Sequence, residues 1–581
     1  MDIQRMVLIL IFGMSAVFLY NEWNKFIHPQ PVTPVTSAQT PAGSTAAPSN
    51  PSLPSLPSTP GLTPAVPGTT QVPGATPAVP SASTAAPTAP ATPGGERITL
   101  ESDLLRVVVN TVGGVIEEVD LKKEQGTVDK TQAYKLLLKT HDRIHIEQAG
   151  LLGDGLPFHK TEYTAVPGPR SLDGAEPVSL RLTANVAQGP YVGSKVDQVI
   201  TIKRNSYAIE VAFEITNASQ QPLAATAYYH LLRDNKMPAG ESSMVPTYTG
   251  AAVYSDKDKF TKIDWSDIEK KKGKYATKTD NGWVAMIEHY FVAAILPADK
   301  TEREIYADKI DDLYRAGVKV AAPPIAPGAT GRIATTIYLG PQQQDILEKT
   351  TPGLELVVDY GIFHVLAAPL FALLAWLYKL VGNWGWAIIL LTILIKAVFY
   401  PLNAASARSM AKLKVVGPKM KVLQEQYAND KQQLQIKMME MYKTEKINPL
   451  GGCLPIVVQI PVFIALYWVL LGAVELRHAP WWGWIQDLSA PDPWYILPVL
   501  YAASAYVQVK LQPPAPGMDP MQQKIMQFMP LMFSVMFIFF PAGLVLYWFV
   551  QNILTIIQQW HVNRMLEAEA KVKAATAAAR R

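Results

Sequence analysis

IILLTILIKAVFYPL, residues 388–402, is an apolar run interrupted by one charge, Lys396. A lysine in the middle of a membrane-spanning helix costs roughly 2.5–3.5 kcal/mol on insertion-based scales. Thr392, Lys396 and Tyr400 stand at i, i+4 and i+8, so one helix would carry them on one face. Two readings follow. Lys396 lies about seven residues, or roughly 10 Å, before the expected end of its helix, and from there it can snorkel to the headgroups. Alternatively it sits in a hydrated pocket that attracts negative charge.

The rest of the chain supplies the setting. It has 581 residues, a formal net charge of +4 and 17% charged residues, and those charges are unevenly spread. Apolar blocks at about 384–403, 454–473, 493–510, 525–540 and 543–561 are long enough to span a bilayer, and they alternate with polar regions. So small a net charge, with no clustered basic face, argues against specific nucleic-acid binding. The single cysteine, Cys453, rules out an intrachain disulfide and a Cys-based metal cluster. Beside Gly451 and Gly452 it reads as a small buried residue.

Charge orients the spans. Between the first two lie Arg408, Lys412, Lys414, Lys419, Lys421, Lys431, Lys437, Lys443 and Lys446, opposed by Glu425, Asp430, Glu440 and Glu445. Arg564, Lys571, Lys573, Arg580 and Arg581 follow the last span, whereas 474–492 holds Arg477 alone. The positive-inside rule puts 404–447 and the tail 564–581 in the cytoplasm. Residues 354–380 are also apolar, but contain Pro369 and His364; they are expected to lie along the outer interface as an amphipathic helix. Residues 6–20, MVLILIFGMSAVFLY, fit a signal peptide or an anchor, and the lack of a small-x-small cleavage site favours an uncleaved anchor over 1–25. Residues 26–97 are rich in Pro, Ala and Thr, cannot bury a core, and read as a disordered linker. The expectation is six spans with both termini cytoplasmic.

Residues 98–350 change character. ITLESDLLRVVVNTVGGVIEEVDLKK and VDQVITIKRNSYAIEVAFEIT alternate with period two, broken at Gly113-Gly114 and at Asn205-Ser206, which predicts strands and turns of one large β-sandwich. Lys270 to Lys272 read as solvated surface in a charged loop, 267–282. In the cytoplasmic loop, Pro418 suits the first turn of a helix, and Leu423 and Tyr427 share a face. Asn429-Asp430 makes a turn and an N-cap, and Leu434, Met438, Met441 and Tyr442 recur at helical spacing. A short antiparallel helical hairpin is predicted.

Catalytic patterns are missing. No Walker A loop, H-E-x-x-H, G-x-S-x-G or convincing G-x-G-x-x-G is present, and the nine histidines show no metal-ligand spacing. No cofactor, metal or enzymatic activity is expected. Polar residues in the spans are more informative. Tyr547, Gln551, Thr555 and Gln558 form one stripe on the last, with Trp548, Asn552 and Gln559 beside it; Gln459 and Gln508 lie in two others. Such groups face a bundle interior or wet cavity, or bond neighbouring helices.

NPLGGCLPIVVQIPVF (448–463), VELRHAP (474–480), DLSAPDPWYILPVL (487–500), DPMQQKIMQFMPLMF (519–533) and FPAGLVLYW (540–548) together resemble the YidC family of bacterial inner-membrane insertases, relatives of the mitochondrial oxidase-assembly insertase. The resemblance spans about 354–563. The anchor, linker and β-domain are similar to the Gram-negative form, whose β-domain is a periplasmic supersandwich. It implies a protein that inserts and folds nascent inner-membrane proteins, alone or with the Sec translocon. It implies five core spans over 384–563 that enclose a hydrophilic groove, open to cytoplasm and lipid. Lys396 takes the position of the groove's positive residue, where the family usually has Arg; Lys keeps the charge but not the planar fork. Thr392, Trp548 and Gln508 fall at groove positions. A hydrophobic slide for the client would run over Phe463, Leu466, Met526, Met529, Met532 and Met536, where flexible methionines suit varied segments. The hairpin, with Lys419, Lys421, Lys431 and Lys437, and the basic tail would face the ribosome and targeting machinery. Sec accessory subunits and membrane lipid complete the implied partners.

Two rival readings remain. A channel or secondary transporter would use Lys396 as an anion site, but would favour internal repeats, and none is visible. A membrane-anchored sugar-modifying enzyme would need a carboxylate pair or His/Glu cluster within 98–345.

Overall fold

The computed structural model describes residues 94–241, 247–427, 430–445, 454–511, 528–529, 532 and 534–579. The expected anchor, almost all of the linker, Cys453 and Met526 lie outside the described residues.

Two nine-stranded antiparallel sheets face each other between Arg97 and Pro341. The first runs Arg97–Glu101, Leu105–Asn110, Val115–Gln125, Ala133–Lys139, Ile144–Leu152, Thr226–Arg233, Leu313–Ala321, Arg303–Ile310 and Lys278–Thr279. The second runs Lys259–Ile263, Gly250–Ser255, Trp283–Ile287, Phe291–Leu296, Thr330–Pro341, Ala208–Thr216, Lys195–Ile202, Val178–Asn185 and Thr164–Ala165. Strand Ala208–Thr216 shows why the pattern folds this way. Ile209, Val211, Phe213 and Ile215 are fully buried between the sheets. Glu210 and Glu214 point outward, where Glu210 pairs with Arg332, and Glu214 accepts from Arg181 at 2.7 Å. A one-residue slip would exchange those two sets, so the register is strongly fixed. Asn205 takes the left-handed conformation (φ 52°) in the predicted turn, between strands paired at Ile202 and Ile209. Gly113 (φ 79°) makes the other turn, and a Cβ there would lie 2.1 Å from the His159 carbonyl oxygen. Lys270, Lys271 and Lys272 are exposed, as expected, after a short helix at Trp265–Glu269.

The helical part begins after two 3-10 turns. Helix α1 is His364–Val381, ended by Gly382 at φ 67°, whose N–H donates to Tyr378 O at 2.7 Å. Helix α2 is Trp384–Val398; its N-cap Asn383 accepts from Trp386 N at 3.1 Å. Helix α3, Tyr400–Gln426, starts after a bend of 57°. The sequence predicts one helix through 384–403; Pro401 at the start of α3 ends it instead, because a proline has no N–H for the preceding turn. Helices α4 (Lys431–Thr444), α5 (Leu454–Gly472), α6 (Ile496–Leu511) and α7 (Ala542–Ala579) follow.

The hairpin is α3 and α4. Asp430 caps α4 as expected, its Oδ1 accepting from Gln432 N at 3.1 Å and Gln433 N at 3.0 Å. Pro418 does not begin a helix; it lies inside α3, which continues through it to Gln426. Val416, 5% exposed, packs on Met441 and Tyr442, and the Tyr442 hydroxyl meets Met420 Sδ at 3.2 Å. These contacts are the seam that closes the hairpin.

Among the described residues, α1 is long and apolar enough to cross a membrane, and α2 with Tyr400–Ser406 passes as a bent pair. Val457–Gly472 and Ile496–Leu511 are shorter apolar helices. One continuous cluster of buried apolar side chains runs from the β-sandwich through Leu347, Val357 and Tyr360 into the helices.

Candidate client groove between the membrane helices

Lys396 projects from the last turn of α2 and is partly buried. Its Nζ donates to Thr555 Oγ1 on α7 at 2.9 Å, and the Thr555 hydroxyl donates to Gln551 O at 2.6 Å. Gln551 Oε1, Gln558 Nε2 and Gln559 Oε1 are buried with no hydrogen-bond partner among the described residues. By helical spacing, Gln551, Gln558 and Gln559 lie on the same side of α7 as Thr555, the partner of Lys396. Buried polar groups of this kind cost free energy unless solvated or paired.

The other expected groove residues are placed differently. Thr392, 1% exposed, turns its hydroxyl back to Ile388 O at 2.7 Å and packs inside the bundle. Tyr400 no longer shares a face with it, because the helix breaks at Phe399. Trp548, 9% exposed, stacks on Phe537 at 4.1 Å and Phe463 at 5.6 Å, with Phe540 edge-on at 5.7 Å. It is the centre of an aromatic cluster, two turns along α7 from Thr555. Gln508 is partly exposed on α6. One turn before it, Ser504 Oγ accepts from Asn552 Nδ2 at 3.4 Å, tying α6 to α7. Thr555 was legible only as one member of the α7 stripe; its pairing with Lys396 is tertiary.

Along the expected slide, Met532 is 72% exposed, Met536 38%, and Met529 is partly buried. Phe463 is half-covered by Trp548. Leu466 has no exposed surface at all. It packs in the bundle core and offers nothing to a sliding segment, whereas Val457 and Val458 on the same helix are exposed. On the hairpin, Lys419 pairs with Glu445 at 2.5 Å and Lys437 with Glu440 at 2.8 Å. The Lys421 and Lys431 side chains lie outside the described residues.

The β-domain has its own cleft of about 800 Å³ on the outer face of the first sheet. His159 Nδ1 lies 2.5 Å from Tyr228 Oη, and the His230 nitrogens lie 2.9 Å from Gln148 Oε1 and 3.0 Å from Tyr306 Oη. Arg315 pairs with Asp308 and Lys319 with Glu304. The polar groups bond one another, and Glu147 faces away into the sandwich core, where burial pushes its carboxyl up to about 8. Among the described residues of the cleft, His159 and His230 bond tyrosine hydroxyls and an amide rather than a carboxylate.

An antiparallel two-sheet domain fused to apolar helices that carry an internal charged strip defines a membrane protein with a large extramembrane domain. The 60Kd inner membrane protein family matches residues 376–569, and the YidC periplasmic domain family matches 97–373. The chain is 48% identical over 571 residues to the membrane protein insertase YidC of Aromatoleum aromaticum, covering 98% of this chain and 99% of that one. It is 46% identical to that of Dechloromonas aromatica, over 98% and 99%, and 47% identical to that of Cupriavidus necator, over the full length of both. An active YidC insertase crystal structure overlaps 80% of this chain and 94% of its own, with TM-score 0.35 and 16% identity. The chain belongs to the YidC family of membrane protein insertases.

Proposed function

We propose that the chain inserts nascent inner-membrane proteins through a hydrophilic groove between α2 and α7, open to the cytoplasm and to lipid. The observation that carries this is the Lys396–Thr555 bond; on the same helix as Thr555, Gln551 Oε1 and Gln558 Nε2 are buried without a partner among the described residues. A hydrophilic client segment cannot cross hydrocarbon cheaply, because its backbone and charges lose water. A wet strip shortens the apolar distance. Lys396 attracts the acidic residues of that segment, and Thr555 holds the ammonium while no client is present. The client's apolar part lies against the exposed Met532, Met536 and Val535 surface, and its burial in lipid, at roughly 25 cal/mol per Å² of apolar area, drives release without ATP.

The proposed topology has six spans, an N-terminal anchor and five core spans, with both termini cytoplasmic and the β-domain periplasmic. The placement of α1 supports it. Its beginning adjoins Tyr360, within the core continuous with the β-domain, and its end leads to Asn383, which donates to Pro480 O and Trp481 O in the loop docked on the β-domain. Both ends of α1 thus lie on the β-domain side, which fits a helix lying along the outer interface. The hairpin and basic tail would meet ribosome and targeting machinery, and the Sec translocon would cooperate on some clients.

A photo-crosslinker at Gln508 or Gln558, with ribosome-bound chains of a small single-span protein, tests the reading. Crosslinks that weaken with Lys396→Glu for acidic clients are expected. Full insertion by K396E without any crosslink would refute the groove and leave Lys396 a snorkelling residue.

A further inference from the structure

Arg477 is the side chain by which the helical part enters the β-domain. It belongs to loop 473–492, between α5 and α6, and its side chain is 3% exposed. The guanidinium lies over the rings of Tyr134 at 5.4 Å and Phe291 at 5.2 Å, themselves stacked at 3.9 Å. Nη2 donates to Thr127 Oγ1 at 3.1 Å, and Nη1 lies 3.6 Å from Glu124 Oε2. A buried cation needs such company, because desolvation costs several kcal/mol and is recovered only through good partners. Two further ties flank it. Asp487 accepts from the N–H groups of His478 and Ser489 at 3.0 Å each, and from Lys130 of the β-domain at 3.3 Å. His289 of the β-domain places Nε2 3.0 Å from Leu471 O, in the last turn of α5.

The same loop grips the groove helices. Asn383, the N-cap of α2, donates to Pro480 O at 3.0 Å and to Trp481 O at 3.1 Å. The Trp481 ring lies so close to Gly385 that a Cβ there would sit 2.2 Å from it. At the start of α7, Ala542 N donates to Ala490 O and Gly543 N to Leu488 O, both at 2.8 Å. The helices of Lys396 and Thr555 are therefore tied to one loop, and that loop is tied to the β-domain.

We propose that Arg477 is a positioning residue: seated in the β-domain, it fixes loop 473–492, and the loop sets the placement of α2 against α7 and hence the Lys396–Thr555 pair. The β-domain is then a brace for the groove, not a separate module. Only the consequence for clients rests on the groove reading; the brace itself is measured without a client.

The test uses the full chain in lipid nanodiscs. Arg477→Met is expected to speed amide exchange in 473–492 and 383–387 about tenfold, while strands 105–110 and 226–233 exchange as in the parent. Spin labels at Trp386→Cys and Phe549→Cys, in a Cys453→Ser background, should show a broader α2–α7 distance distribution in R477M. Arg477→Lys, which keeps the charge, should restore most of both. Unchanged loop exchange in R477M overturns the proposal, as does faster exchange with an unchanged distance distribution. If R477M does not fold, R477K carries the test, with about threefold faster loop exchange expected and no change overturning it. Missing client crosslinks alongside a loosened loop would sink the groove and leave the brace standing.

Discussion

Lys396 Nζ and Thr555 Oγ1 meet at 2.9 Å across the α2–α7 interface, between residues 159 positions apart in the chain. The bond gives the ammonium one neutral partner; under the proposed function its other protons serve a client carboxylate. Thr555→Val keeps the shape and removes the acceptor. Insertion of an acidic single-span client into proteoliposomes should fall a few-fold in T555V and much further in Lys396→Glu. Lys396→Arg should stay close to the parent, since charge is the operative property. Equal activity in K396E and parent would contradict the assignment.

Glu147 makes the β-domain sensitive to pH. Its carboxyl is fully buried, both oxygens lack a partner among the described residues, and burial raises it to about 8. A carboxyl that binds its proton more tightly when folded contributes most below its unfolded value and loses that contribution as pH climbs through the folded one. Stability of the β-domain should therefore fall between about pH 4.5 and pH 8, by on the order of a few kcal/mol from this group. Glu147→Gln should remove that part of the slope and raise the unfolding temperature at pH 8. Melting curves of the full chain at pH 5 and pH 8, for parent and variant, supply the comparison.

Packing sets a second contrast in the same domain. Phe213 is fully buried between the sheets, and Phe213→Ala should cost about 3–5 kcal/mol. Single alanine replacements at the exposed Lys270, Lys271 and Lys272 should each stay within about 0.5 kcal/mol. Denaturant midpoints measured side by side would separate core from surface.

In the hairpin, Asp430→Ala removes the two N-cap bonds to Gln432 and Gln433 and should weaken α4 by about 1 kcal/mol. Amide exchange in the first turn of α4 should quicken about fivefold, with α3 unaffected. An unchanged first turn would mean that packing of Met441 and Tyr442 holds the helix by itself.

Gly385→Ala is a small change with a large expected effect. The new methyl meets the Trp481 ring, not a flexible chain end. Tryptophan emission should change, and loop 473–492 should exchange faster, while the β-sandwich stays intact.

Much of this architecture was readable from residue patterns. Strand Ala208–Thr216 shows its two faces in the letters AIEVAFEIT, since a half-buried strand must alternate. Asp430 was equally plain, because a cap acts locally. Two helical features were misread. Pro418 looked like a beginning and lies inside α3, while the span expected over 384–403 breaks at Phe399, with Pro401 in the first turn of a new helix. A proline marks an interruption, but neighbours decide whether the helix bends, restarts or continues. Leu466 looked like client surface because hydrophobicity does not distinguish lipid-facing from bundle-facing sides. Arg477 read as a lone loop charge. Its hydroxyl partner Thr127 is 350 residues away, and no periodicity links such positions.

Helix α7 runs without a break from Ala542 to Ala579, 38 residues. At 1.5 Å per residue that is about 57 Å, nearly twice the ~30 Å of a bilayer's hydrocarbon. In the proposed topology, Thr555 sits on a rod whose far part projects beyond the lipid. In that topology the projecting part is a lever arm, and a load on it would act on the contact with Lys396.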